Sequence, residues 1–70
     1  MLPLIYAESG CPQIIKRIVG SPEIKKHLED LGFVVGGEAC VISSLNDNLI
    51  VKVKESRIAV SDELAKKIMI

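Results

Sequence analysis

The sequence predicts a small, mainly β domain with short helices, whose strands close into a barrel. Three observations predict it: several strand-like apolar runs are separated by turn residues, one short amphipathic helix is capped at both ends, and the chain ends on the apolar residues 68–70. An apolar tail is expected to pair as a last strand, which hides a sheet edge. The 70 residues are predicted to form one domain, 1–70, that buries only about 60% of its unfolded surface.

The first half predicts a strand followed by a helix. Residues 14–19 are rich in β-branched side chains, which favours a strand. Ser21 is an expected N-cap for a helix over 22–31, with a proline at its first position and an apolar stripe at i, i+4 and i+7. Gly32 is expected to end this helix in the left-handed conformation, so that Phe33 folds back onto it.

The second half alternates strands and turns before a second helix. Asn and Asp favour a hairpin turn after the second strand, and a turn at Glu55-Ser56 is expected to follow the third. The C-terminal helix begins with acids and ends with lysines, which suits the helix dipole. The predicted elements are strand 38–45, turn 46–48, strand 49–54, strand 57–60, helix 62–67 and strand 68–70.

Composition and charge disfavour several function classes. The chain carries nine basic and nine acidic residues, and a formal net charge of zero argues against nucleic acid as a partner. No apolar run approaches the roughly 20 residues that span a bilayer, and the N-terminus lacks a basic signal-peptide region. We therefore expect a cytoplasmic protein without direct membrane insertion.

Catalytic groups are scarce. His27 is the only histidine, and it lies off the apolar helix stripe, where a surface role is expected. No glycine-rich phosphate loop is followed by Lys and Ser or Thr. Arg17 and Arg57 are expected to pair with carboxylates or to lie at strand edges rather than to reach a partner's nucleotide. The sequence predicts that the chain is not an enzyme.

Two motifs of the chain are specific: a Leu-x-x-Leu-Gly-x-x-x-Gly pattern at the end of the first helix, and an Arg-Ile-Ala strand that leads into Glu-Leu-Ala. Further characteristic segments are Pro3-Leu4, Gly10, residues 14–18, residues 27–33, residues 35–38, residues 46–48, residues 57–61 and residues 63–65. The order and spacing of these segments along nearly the whole chain resemble the FeoA family, the small ferrous iron transport protein A.

The resemblance implies an SH3-like β-barrel with small helices, and a protein that binds and regulates the cytosolic part of the membrane ferrous iron transporter FeoB. It also implies that metal-dependent repressors of the diphtheria toxin repressor type share the fold. The length favours a stand-alone module without their further domains. Only Tyr6 and Phe33 are aromatic, which argues against a proline-rich peptide groove and against stacking of single-stranded nucleic acid.

Metal binding is the alternative function class. Cys11 and Cys40 are expected to be free thiols in a reducing compartment, and no CxxC, HxxxH or HExxH spacing is present. We expect that no cofactor is required. Weak binding of a transition metal, iron or zinc, by Cys11 and Cys40 in a sensor module remains open.

A partner-binding surface is the most plausible functional feature. Phe33 is expected to be core, whereas Val34 and Val35 lie next to it and before two flexible glycines. An apolar segment in this setting is typical of a patch that a partner covers. Val34 and Val35 are therefore the predicted partner-binding residues, with Val34 favoured.

Overall fold

The computed structural model describes all residues, 1–70, and it is mainly β with short helices, as predicted. The element order is a 3₁₀ turn (Leu4–Tyr6), β1 (Pro12–Ile14), β2 (Arg17–Ile18), α1 (Pro22–Leu31), β3 (Glu38–Leu45), β4 (Asn48–Val53), β5 (Ser56–Ser61), α2 (Asp62–Ala65) and β6 (Ile68–Met69).

The strands form two antiparallel sheets. The larger sheet has the order β1-β3-β4-β5, and the smaller one pairs β2 with β6. Arg17 lies opposite Met69 and Ile18 opposite Ile68, which confirms that the C-terminal residues pair as a last strand. The N-terminus adds to this edge, since Leu2 and Ile70 exchange two backbone hydrogen bonds of 2.9 and 2.8 Å.

The prediction of one strand over 14–19 is wrong. The segment splits into β1 and β2, which belong to different sheets. The split lies at Ile15 and Lys16. The Ile15 N–H donates to the Gly37 carbonyl (2.8 Å), and the Lys16 N–H donates to the Met69 carbonyl (2.8 Å). Two distant partners therefore pull consecutive residues into different ladders.

The helix α1 has the predicted bounds and caps. The Ser21 hydroxyl accepts a hydrogen bond from the Ile24 N–H (3.3 Å). Gly32 has φ 110°, and its N–H donates to the Glu29 carbonyl, while the Phe33 N–H donates to the Leu28 carbonyl (both 2.9 Å). These two bonds define a Schellman motif, which satisfies carbonyls that the helix leaves unpaired.

Several boundaries in the second half differ from the predictions by one or two residues. The turn after β3 is residues 46–47 rather than 46–48, because Asn48 already pairs with Leu45, and β5 and β6 run over 56–61 and 68–69 rather than 57–60 and 68–70. The turn between β4 and β5 lies at Lys54 and Glu55 rather than at Glu55-Ser56, because Lys54 takes the left-handed conformation with φ 57°. The second helix ends at Ala65 rather than at Lys67. The Lys67 N–H donates to the Leu64 carbonyl (3.0 Å), so that the last turn tightens before β6 begins.

One apolar core lies between the sheets and the helices. It contains 13 buried residues, and none of them is polar or charged. The 3₁₀ turn, both helices and every strand except β1 and β2 contribute at least one of them. The members are Leu4, Ile15, Leu28, Phe33, Ala39, Val41, Leu49, Val51, Val53, Val60, Ala65, Ile68 and Ile70, of which Ile15, Phe33 and Ile70 lie in the connecting segments or at the C-terminus.

Candidate functional site

A shallow groove lies where β2, α1 and the segment after α1 meet. Its cavity volume is about 390 Å³, and it is open to solvent. Four of its six lining side chains are apolar, and the two others carry opposite charges. The lining residues are Ile18, Lys25, Glu29, Phe33, Val34 and Val35.

The helix stop positions the apolar part of the groove. The Schellman turn at Gly32 sends Phe33 into the core, where it is 0% exposed. The chain then returns through Gly36, whose φ is 88° and whose N–H donates to the Ile15 carbonyl (2.7 Å). The two valines between these fixed points are thereby held at the surface end of the core.

The structure places the two predicted partner-binding residues side by side in this groove, with different exposure. Val34 is half buried, and its Cγ2 atom would lie only 3.1 Å from a Cβ atom added to Gly37. The Val34 carbonyl accepts a hydrogen bond from the Gly37 N–H (2.9 Å). Val35 is 63% exposed. Val35 therefore offers most of the surface that a partner could cover.

Sequence reasoning missed the other side of the groove. Lys25 and Glu29 are exposed and stand one helical turn apart on α1, while Ile18 comes from β2. The i, i+4 spacing indicates that Lys25 and Glu29 share one flank of the helix. Only the packing of α1 shows that this flank faces the two valines. His27 is exposed on α1 and does not line the groove.

The two cysteines lie outside the groove: Cys11 immediately precedes β1, and Cys40 is in β3. Cys11 is exposed, and its Sγ atom lies 3.8 Å from Glu8 Oε2. Cys40 is half buried, lies opposite Pro12 in the register, and has its Sγ atom 3.8 Å from the Val41 carbonyl oxygen.

No group of three or more His, Cys, Asp or Glu side chains is arranged to hold a metal ion. A tight transition-metal site normally needs three or four such ligands. The expectation that the chain requires no metal stays a prediction, and so does weak binding through Cys11 and Cys40. None of the helices is long and apolar enough to cross a membrane.

The chain matches the family model described as the FeoA domain over residues 2–70. A protein of Methanocaldococcus jannaschii named an Fe(2+) transport protein A is 34% identical over 70 residues, which are 100% of this chain and 85% of that protein.

Two solved structures are similar over nearly the whole chain. An iron uptake regulatory protein (FeoA) is 25% identical with a TM-score of 0.88, and the match covers 96% of this chain and 89% of that one. The iron(II) transport protein A of Clostridium thermocellum is 27% identical with a TM-score of 0.90, and the match covers 97% of this chain and 43% of that one.

The expected likeness to metal-dependent repressors is confirmed for the fold. A manganese-dependent transcriptional repressor is 14% identical with a TM-score of 0.85, and the match covers 94% of this chain and 38% of that one. The SH3-like fold class is likewise confirmed. The family model spans all but the first residue, and the 34% identical relative is covered over most of its length, so this chain belongs to the FeoA domain family.

Proposed function

We propose that this chain is a small accessory protein of ferrous iron uptake that binds and regulates the cytosolic part of the transporter FeoB. The match to the FeoA domain over residues 2–70, together with a relative named for Fe(2+) transport, carries the proposal. The chain presents no nucleophile, base and orienting group together, which favours action through binding, without chemistry of its own.

The groove of Val34 and Val35 is the proposed contact surface. Six large apolar side chains of the chain are at least half exposed, and Val35 is the one that lines this groove. A concave, mostly apolar surface is typical of a contact that a partner covers. Val35 is 63% exposed, so a partner would remove most of its surface from water. Complete burial of a valine contributes roughly 1.5–3 kcal/mol, which is enough to make one residue matter in a small interface.

Lys25 and Glu29 would set the orientation of the partner. They flank the apolar part of the groove with one charge of each sign. The whole chain has a formal net charge of zero, so long-range attraction of the whole molecule contributes little to the encounter. Charges at the rim of an interface act mainly on specificity and on the association rate. The groove would therefore select by local complementarity.

Two matched variants test the contact surface. Val35→Asp should weaken association with the cytosolic part of FeoB from the same cell, measured by biolayer interferometry in the GDP-bound and GTP-analogue-bound states. Leu45→Asp is the control, because Leu45 is 65% exposed against 63% for Val35 but lies on the β3–β4 hairpin. Both variants should keep the melting temperature of the parent, since neither charge becomes buried in the free protein.

Regulation is tested in the same system. The GTP hydrolysis rate of the FeoB part is measured with and without the chain, and with Val35→Asp. Val34→Asp is a third variant, because Val34 is half buried. If this variant unfolds, Val34 belongs to the core rather than to the contact surface. Absence of association in both nucleotide states would overturn the proposed function, and equal weakening by Leu45→Asp would overturn the choice of surface.

A further inference from the structure

The strand β5 is an unprotected edge of the larger sheet. It lies last in the order β1-β3-β4-β5 and pairs only with β4, through six consecutive residue pairs without a bulge. The opposite edge, β1, is three residues long and begins with a proline, two features that block the addition of a strand. Ser56–Ser61 contains no proline. The edge is thus long enough and regular enough to accept another strand.

The hydrogen-bond phase shows which backbone groups point outward. The Asp62 N–H donates to the Asp47 carbonyl (2.8 Å), which makes the adjacent Asn48–Ser61 pair a non-hydrogen-bonded pair of the ladder. Because the pattern alternates, Ala59 and Arg57 also belong to such pairs, and their N–H and carbonyl groups point away from β4. Both residues are exposed, and neither takes part in any backbone hydrogen bond outside the regular elements.

The Arg57 end of this edge carries positive charge that no carboxylate on its cross-strand row offsets, whereas Asp47, Asp62 and Glu63 line a depression at the Ser61 end. The register aligns Pro12, Cys40, Lys52 and Arg57 across the four strands. Like charges directly opposite one another destabilise a sheet. Glu38 lines a depression with Lys52 and Lys54, on the β3 side, and Arg57 is not part of that lining. Arg57 is therefore the positive group at the open side of the row.

We propose that β5 binds an extended, acidic segment of a partner protein, which adds to the sheet as a fifth strand. The outward N–H and carbonyl groups of Arg57 and Ala59 supply the backbone hydrogen bonds, and a carboxylate of the added strand lies next to Arg57. This surface is separate from the groove of Val34 and Val35, since no residue of β5 lines that groove.

Two other occupants fit less well. A second copy of the chain would bring another Arg57 and Lys52 to the joined sheet and add to the positive charge. An anionic membrane surface would satisfy the charge, but it offers no regular row of donors and acceptors to match the strand edge. An extended acidic peptide supplies both the negative charge and the regular row of backbone donors and acceptors.

The test uses a capped eight-residue peptide of alternating glutamate and valine, with alternating lysine and valine as its control. Nuclear magnetic resonance follows the full chain during titration. We expect the acidic peptide to shift the amide signals of Arg57 and Ala59 and to slow their hydrogen exchange, and we expect the basic peptide to bind at least about tenfold more weakly. Arg57→Gln should weaken binding of the acidic peptide by a similar factor.

A second variant separates the backbone from the charge. Ala59→Pro removes an N–H that faces solvent, so the ladder to β4 is kept while the added strand loses a bond. Thermal unfolding checks its fold, and Arg57→Gln carries the test if Ala59→Pro does not fold. Equal binding of both peptides, no exchange protection at Arg57 and Ala59, or binding of phosphatidylserine vesicles in place of the acidic peptide would overturn the proposal. So would a concentration-dependent dimer that Ala59→Pro abolishes.

Discussion

Substitution of Gly32 tests whether the helix stop holds the groove and the core together. Gly32 has φ 110°, and a Cβ atom added there would lie 3.2 Å from Val53 Cγ1. The left-handed backbone costs a non-glycine residue about 1–2 kcal/mol. The contact with buried Val53 is tighter than an ordinary van der Waals contact, and overpacking of a core costs about 1–3 kcal/mol more. We therefore expect Gly32→Ala to destabilise the fold by about 2 kcal/mol or more, and Gly32→Val by more still.

Gly10→Ala is the matched control. Gly10 also has a positive φ, 83°, but a Cβ atom there meets nothing within 4 Å. Gly10→Ala should therefore lower the free energy of unfolding only by the cost of the left-handed backbone, about 1–2 kcal/mol. For a domain of this size each kcal/mol lowers the melting temperature by about 4–8 °C, so calorimetry resolves the difference between the two variants.

Urea unfolding supplies the second measurement. The midpoint should fall in both variants while the slope stays constant, since neither substitution changes the surface exposed on unfolding. An unchanged midpoint for Gly32→Ala would refute the role of the glycine stop. Equal losses in Gly32→Ala and Gly10→Ala would refute the contribution of the contact with Val53.

Four further outcomes are expected. Deletion of residues 68–70 removes two buried isoleucines, each worth roughly 2–5 kcal/mol, against a total stability of about 5–15 kcal/mol; calorimetry should show no cooperative transition, and an unchanged melting curve would contradict the pairing of β6. Chelator, reductant, Cys11→Ser and Cys40→Ser should each leave the melting curve unshifted, whereas a metal-dependent rise in melting temperature that either substitution abolishes would favour the sensor alternative. Arg57→Gln should raise stability by a few tenths of a kcal/mol, because it relieves repulsion with Lys52; a loss of stability would contradict the unpaired state of Arg57. The chain alone should neither hydrolyse nucleotides nor bind nucleic acid, and a salt-dependent shift of labelled DNA would contradict this.

Locally encoded features were predictable from the sequence. The helix α1 needs only its own residues: Ser21 caps its start, the apolar stripe has the helical period, and Gly32 supplies the positive φ at its end. The two valines of the groove follow from that stop, because a chain that has buried Phe33 must return to the surface. These parts of the fold depend on neighbours within a few residues.

Features set by distant partners were not predictable in the same way. The β-branched run over 14–19 contains no residue that marks the break between β1 and β2. The break arises because the Ile15 N–H donates a hydrogen bond to the Gly37 carbonyl, whereas the Lys16 N–H donates to the Met69 carbonyl in the other sheet. The 3₁₀ turn Leu4–Tyr6 was likewise missed, although Leu4 is 0% exposed, since its place in the core depends on elements that follow much later. The position of Lys25 and Glu29 beside the two valines was not predictable either, because it depends on how α1 packs.

In the β4–β5 hairpin, both the predicted and the observed turn place a lysine opposite Arg57. A turn at Glu55-Ser56 would have put Lys54 opposite Arg57, whereas the observed turn puts Lys52 there. The two registers differ by two residues, so each side chain keeps its face, because side chains alternate with a period of two. A lysine faces Arg57 in either register. The repulsion at the edge is thus already encoded in the alternation of Lys52 and Lys54, and the structure adds that this edge is open.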